Sequence, residues 1–137
     1  MGLNFIATHQ NEVYTRNYMK KGICYILLEN DKIISTIFYH TKMWDDAPEI
    51  FKQDDVVLFG KFAVDPALQQ KGLGSMMMDF IEERARSNGK KRMALDTSEK
   101  AFHLIEYYLK RGYEYVHHWQ WPDVNYRSVV MCKKLQH

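Results

Sequence analysis

Seven consecutive residues, Gln69-Gln70-Lys71-Gly72-Leu73-Gly74-Ser75, lie between an apolar run ending at Val64-Asp65-Pro66 and a helix-period pattern that starts at Leu73. Glycines at a helix start let the backbone turn tightly and let a ligand approach without meeting a Cβ, so several N–H groups can point at one anion. The positive end of the helix dipole favours the same ligand, and Lys71 adds a mobile positive charge. The chemistry is that of a phosphate cradle, and a diphosphate would fit it. A Walker loop requires four residues between its glycines and then Gly-Lys-Ser/Thr, and a dinucleotide fingerprint requires a third small residue where this chain has Met77. Neither template fits, which argues against a protein that uses this loop for ATP or NAD.

The flanking elements position the loop. Val56 to Val64 is β-branched and aromatic enough for a largely buried strand, and Pro66 removes a backbone donor and stops it. Beyond the glycines, Leu73, Met76, Met77, Phe80, Ile81 and Ala85 recur at the spacing of one helix face, with Asp79, Glu82, Glu83 and Arg86 on the other. Asn88-Gly89 ends that helix. Arg92 to Thr97 reads as a strand, and Ser98 as the N-cap of a helix carrying Ala101, Leu104, Ile105 and Tyr108 on one face. Gly112 closes it, and Tyr113 to Val116 alternates as a further strand.

Two of these stretches carry a family pattern. Gln/Arg-x-x-Gly-x-Gly after a strand ending in Val-x-Pro, here Gln69 to Gly74, resembles the acetyl-coenzyme A loop of the GNAT superfamily of N-acetyltransferases. Tyr107-Tyr108-Leu109-Lys110-Arg111-Gly112-Tyr113 is similar to that superfamily's Leu/Phe-Tyr-x-x-x-Gly-Phe, in the right order and at a suitable separation. The resemblance covers Ile23 to the C-terminus and is weakest at the N-terminus.

The resemblance implies a mixed α/β fold: a central sheet flanked by helices, with two parallel strands that splay apart to receive the cofactor. It implies acetyl-coenzyme A as co-substrate. Main-chain groups of Phe62, Ala63 and Val64 would hold the pantetheine arm, and the Val64 N–H region would polarise the thioester oxygen. Backbone N–H groups from Gln70 through Lys71, Gly72, Leu73 and Gly74 to Ser75 would hold the diphosphate, with Gln69 and Lys71 at its edge. Tyr108 falls where the family places a tyrosine that protonates the departing thiolate. Two positions depart from the pattern: Ala101 stands where many relatives have an asparagine, and Lys61 where they often have a glutamate. The base that takes the amine's proton is therefore unassigned, with His40, Asp96, His103 and His118 as candidates acting through ordered water.

Taken from its start, the chain alternates at Leu3, Phe5 and Ala7, and Asn11 to Lys20 reads as a short helix ended by Lys21-Gly22. Ile23 to Glu29 and Lys32 to His40 form a hairpin about Asn30-Asp31. The resembled family usually has a strand and about two helices before that hairpin, so either this part is abbreviated or a piece is missing. Thr41 to Asp55 reads as a loop with at most one helical turn, its Trp44 and acidic residues being candidates for contacting an amine. Near the C-terminus, Trp119 and Trp121 share a face able to border an acceptor site. Ser128 to Leu135 is the final strand.

At 137 residues the chain has the size of a single domain, and its net charge of +2 carries no polyanion-binding signature, so nucleic acid is not expected as a partner. No apolar stretch approaches membrane-spanning length and no secretory signal precedes the domain, which predicts a cytoplasmic protein. Cys24 and Cys132 sit in apolar, strand-like surroundings and read as reduced, packed residues. Adjacent His117 and His118 point to opposite faces of a strand and cannot easily share an ion, so no metal is expected. The expected activity is acetyl transfer from acetyl-coenzyme A to a primary amine, of a small molecule or peptide, in a ternary complex. The alternative is a domain of the same fold that binds coenzyme A as a sensor or interaction module. The acceptor and the oligomeric state, a homodimer included, are not readable from the sequence.

Overall fold

The structure, a computed structural model, describes residues 3–8, 22–40, 45–64, 72–122 and 124–135. Its strands are β1 (Leu3–Thr8), β2 (Gly22–Glu29), β3 (Lys32–His40), β4 (Val56–Val64), β5 (Arg92–Ser98), β6 (Glu114–Trp119) and β7 (Ser128–Lys134). Its α-helices are α1 (Leu73–Ser87) and α2 (Phe102–Lys110), and Glu49–Lys52 forms a single 3-10 turn. The strands are hydrogen-bonded in the order β1-β2-β3-β4-β5-β7-β6, a mixed sheet in which β4 and β5 are parallel. The chain divides into two compact units, residues 1–42 with 59–84 and residues 43–58 with 85–137, so β4 begins in one and ends in the other.

In the first unit the hairpin forms as its turn chemistry demands. Asn30 and Asp31 take φ values of +52° and +68°, the left-handed pair that matches the twist of two antiparallel strands. β2 pairs with β3 from Gly22 with His40 to Glu29 with Lys32, and β1 adds antiparallel to β2. Gly22 is required there, since a Cβ would stand 2.0 Å from the Tyr39 carbonyl oxygen. Tyr25, Leu27, Ile34, Ile37, Phe38, Tyr39 and Phe59 are buried in this unit together with Met77, Met78 and Ile81 of α1. Each such side chain contributes about 1.5–3 kcal/mol on leaving water.

The buried stripe of α1 is rotated from the expected one. Met76 is exposed, whereas Met78 and Glu82 are buried beside Met77, Ile81 and Ala85. Positions 77, 78, 81, 82 and 85 lie on one side of a 3.6-residue helix as naturally as 73, 76, 77, 80 and 81 do. Hydropathy cannot choose between neighbouring stripes in a run of three methionines. Gly89, at φ +76°, ends the helix region as expected.

In the second unit the parallel register of β4 and β5 is three pairs long, from Val56 with Arg92 to Leu58 with Ala94. β5 then pairs along its whole length with β7, and β7 with β6, both antiparallel. One face of this sheet carries a core of Ala47, Phe51, Val56, Leu58, Ala94 and Val130, with Ile50, Trp119, Trp121 and Cys132 packed on it. Ser98 does not cap α2: it ends β5, its hydroxyl accepts from the Lys100 N–H at 3.2 Å, and Ala101 holds the N-cap position without a side-chain bond. The serine caps a tight turn before the helix, which places Glu99, Lys100 and Ala101 between strand and helix. β6 spans Glu114–Trp119, so His117 and His118 lie on a strand as expected. The expected helix over Asn11 to Lys20, and Thr41 to Trp44, lie outside the described residues.

Candidate active site

The glycine loop meets its helix with two glycines that do different work. Gly72 takes φ +77°, and none of the described residues lies within 4 Å of where its Cβ would stand. The helical ladder begins with the bond from the Met76 N–H to the Gly72 carbonyl at 3.0 Å. That turn holds no acidic residue. Gly74 instead packs: its Cβ position is 3.4 Å from Phe62 Cζ and 3.6 Å from Val64 Cγ2, seating the helix start on the end of β4. Open space over a left-handed glycine, at an acid-free helix N-terminus, fits the diphosphate of coenzyme A. Leu73 and Ser75 belong to this first turn, while Gln69, Gln70 and Lys71 lie outside the described residues.

Phe62, Ala63 and Val64 are the last residues of β4. Ala63 is exposed, and its carbonyl accepts from the buried Ser35 hydroxyl at 2.8 Å, which ties the strand end to β3. Elsewhere in this unit the exposed Arg84 of α1 donates through Nε to the Tyr25 hydroxyl at 3.2 Å, and Phe80 meets the Tyr25 ring edge-on at 5.2 Å.

In the second unit Tyr108 is buried in α2, its ring 5.5 Å from that of Tyr107 and 5.8 Å from that of Tyr113. Burial, with a smaller contribution from Tyr107, pushes its hydroxyl well above the usual phenol range. The group therefore keeps its proton near neutral pH, where the hydroxyl can donate and accept hydrogen bonds.

The structure separates the four candidate bases. His40 is buried at the end of β3 against Phe38, with ring centroids 4.8 Å apart. His103 is exposed on α2. His118 is exposed and shares a 2.8 Å hydrogen bond with the Tyr115 hydroxyl. Asp96 is partly buried on β5, two residues past the last β4 pair and on the core face with Ala94. Its Oδ2 accepts from Trp121 Nε1 at 2.7 Å, and the Ser128 side chain also bonds it. Burial raises its carboxyl above the usual carboxylate range, against the pull of those two bonds.

The Asp96–Trp121 bond joins two residues that sequence reading names separately. The only signal for it was a lone acid in the apolar run Met93-Ala94-Leu95-Asp96. Trp119 and Trp121 do share a face, in edge contact with centroids 6.3 Å apart. Asp45 and Asp46 of the predicted acidic loop are exposed, and Lys52 Nζ donates to the Asp45 carbonyl at 2.6 Å. Cys24 and Cys132 are both free thiols, raised by burial. Among the described residues no group of three or more His, Cys, Asp or Glu is arranged to hold a metal, and no helix is long and apolar enough to cross a membrane.

Residues 4–113 match the Acetyltransferase (GNAT) family. This chain belongs to that family, and with it to the acyltransferases. A member from Bacillus subtilis (strain 168), S-(2-succino)cysteine N-acetyltransferase, is 30% identical over 115 residues, which cover 82% of this chain and 67% of the relative. A second protein of the same strain is 28% identical over 88 residues, 64% of this chain, and this chain spans about half of that relative's length, 47%. Among solved structures, a GNAT family acetyltransferase from Elizabethkingia anophelis with acetyl-CoA bound superposes with a TM-score of 0.76 at 14% identity. That match covers 98% of this chain and 99% of the other. At that identity the likeness establishes the GNAT fold alone.

Proposed function

We propose that this GNAT domain transfers an acetyl group from acetyl-coenzyme A to a primary amine by direct attack within a ternary complex. The observation that carries the proposal is the acid-free start of α1 at a left-handed Gly72, packed through Gly74 on Phe62 and Val64 at the end of β4. Gln69 to Ser75 would hold the diphosphate, and the main chain of Phe62, Ala63 and Val64 the pantetheine arm. The bound co-substrate supplies an activated thioester carbonyl.

What remains for the chain's own residues is to orient an amine, relieve it of a proton and protonate the thiolate that leaves. By the family pattern Tyr108 takes the last task, entering the step with its proton in place, while the burial that raises its hydroxyl makes it a weaker acid. The named relative acetylates a cysteine derivative, which supports a small-molecule amine as acceptor. A soluble, cytoplasmic protein is the expected setting for such a reaction.

The test is calorimetric titration with acetyl-coenzyme A, coenzyme A and ATP, followed by thiol release across a panel of amines. Binding of the first two and not ATP, with amine-dependent release, is the expected result. Tyr108→Phe should lower turnover about 100-fold or more with little change in cofactor affinity. Binding without release for any amine would make the domain a coenzyme A sensor instead.

A further inference from the structure

The second unit holds a polar cluster on the core face of its sheet that the acetyl-coenzyme A chemistry does not use. Asp96 lies across from Val130 of β7, and Val130 from His117 of β6; Ser98 lies across from Ser128, and Ser128 from Trp119. These residues therefore share one face with Trp121. The Asp96 carboxylate receives two neutral donors, Trp121 Nε1 and Ser128, and forms no ion pair with a cation among the described residues. A carboxylate drawn partly out of water without a cation is held at a cost, and a bound ammonium would remove it.

The second observation is independent of Asp96. Trp119 Nε1 is buried and has no hydrogen-bond partner among the described residues. An orphaned donor of this kind calls for an acceptor atom from a ligand or water. Its ring meets His117 at 6.0 Å and, at 6.3 Å, Trp121, the indole bonded to the carboxylate. Indole faces attract cations as well as apolar surface.

Resting on the function proposed above, we infer that Asp96, Trp119 and Trp121 form the seat of the acceptor amine. The acceptor is a primary ammonium compound with a hydrogen-bond acceptor oxygen close to its nitrogen, the pattern of an amino acid. Asp96 Oδ binds the ammonium and accepts one of its protons, and the Trp119 N–H takes the neighbouring oxygen. The neutral nitrogen then bonds to the thioester carbon as the carbon–sulfur bond breaks. Of its two remaining protons the nitrogen keeps one in the amide, while the other is lost to solvent. The thiolate is protonated to the thiol, and Asp96 returns its proton to water.

The experiment combines turnover with an amine titration that needs none. Tryptophan fluorescence of the acetyl-coenzyme A-free protein is followed as an amino acid methyl ester is added, with the corresponding hydroxy ester as the uncharged control. Initial rates with the same amine, and calorimetry with acetyl-coenzyme A, are run on wild type, Asp96→Asn and Trp121→Phe. The expected result is saturable binding of the amine but not the hydroxy ester. Asp96→Asn should weaken that binding and lower kcat/KM by about 10- to 100-fold, the worth of a charge-assisted bond, with acetyl-coenzyme A affinity unchanged.

Trp121→Phe keeps the carboxylate and removes its donor. It should weaken amine binding several-fold, and it decides the matter if Asp96→Asn fails to fold. Turnover by both variants at the wild-type kcat/KM would overturn the amine seat while leaving the acetyltransferase intact. Amine binding that depends on Asp96 without turnover would keep the seat and remove the enzyme. Neither binding nor turnover would overturn both.

Discussion

Replacing each glycine of the cradle by alanine separates backbone demand from packing. At Gly72, φ is +77° and the Cβ meets none of the described residues within 4 Å, so among them only the backbone resists. A left-handed residue with a Cβ costs about 1–2 kcal/mol. Alanine also narrows the unfolded ensemble, which offsets roughly 0.4–1 kcal/mol, leaving Gly72→Ala about 1 kcal/mol less stable. For a chain of this size that is a fall of roughly 2–5 °C in Tm.

At Gly74, already helical, alanine gains about 1 kcal/mol of helix propensity. Its Cβ would touch Phe62 Cζ at 3.4 Å, the edge of ordinary contact. Gly74→Ala should therefore be as stable as wild type or slightly more so. Because the Gly74 Cβ points at β4 and the space over Gly72 is open, Gly72→Ala should weaken coenzyme A binding, and Gly74→Ala should not. Thermal melting and calorimetry on the two variants check both halves. Equal stability and equal coenzyme A affinity in Gly72→Ala would refute the reasoning, and so would a loss of affinity confined to Gly74→Ala.

Three further outcomes follow from the packing and charges. Gly22→Ala should cost more than about 2 kcal/mol, because its Cβ would stand 2.0 Å from the Tyr39 carbonyl oxygen and the β2–β3 backbone must move; chemical denaturation measures it. Asp96 has a carboxyl raised by burial, so its favourable contribution is present below the ordinary value of 3.8 and is lost as pH rises through the folded value. Asp96→Asn should accordingly melt at or above wild type at pH 7, the difference shrinking toward pH 4, even as it loses activity. Tyr108, raised by burial, contributes stability that is intact below pH 10 and is lost above it. Tyr108→Phe should therefore resist alkaline unfolding better than wild type in melts between pH 9 and 11.

The features legible in the chain were those set by local chemistry. Asn30-Asp31 can adopt two successive positive φ angles, as a tight hairpin requires, so the turn was legible, whereas the register shift between Leu27 and Leu28 was not. Gly72, Gly89 and Gly112 marked element ends because each takes a positive φ that other residues resist. The sidedness of α1 was not legible: with Met76, Met77 and Met78 in sequence, the neighbouring sheet selects which of them it buries. Ser98 failed as a cap because its backbone was already committed to the β5–β7 ladder, where it pairs with Ser128.

The amine seat makes the division plain. Strict alternation from Tyr115 would turn His117 and Trp119 to the face that Tyr115 occupies. A register irregularity at Val116 adds one residue to β6, so that Tyr115 lies across from Met131 but His117 from Val130. Tyr115 and His118 then meet on one face, as their 2.8 Å hydrogen bond records, and His117 and Trp119 turn to the other, the face that carries Asp96 and Trp121. The glycines and turn residues by themselves determined where the chain bends, because those demands are local to a few φ angles. Which side chains stand around Asp96 was decided only in the tertiary structure, because a one-residue bulge, fixed by pairing with β7, inverts every face that follows it.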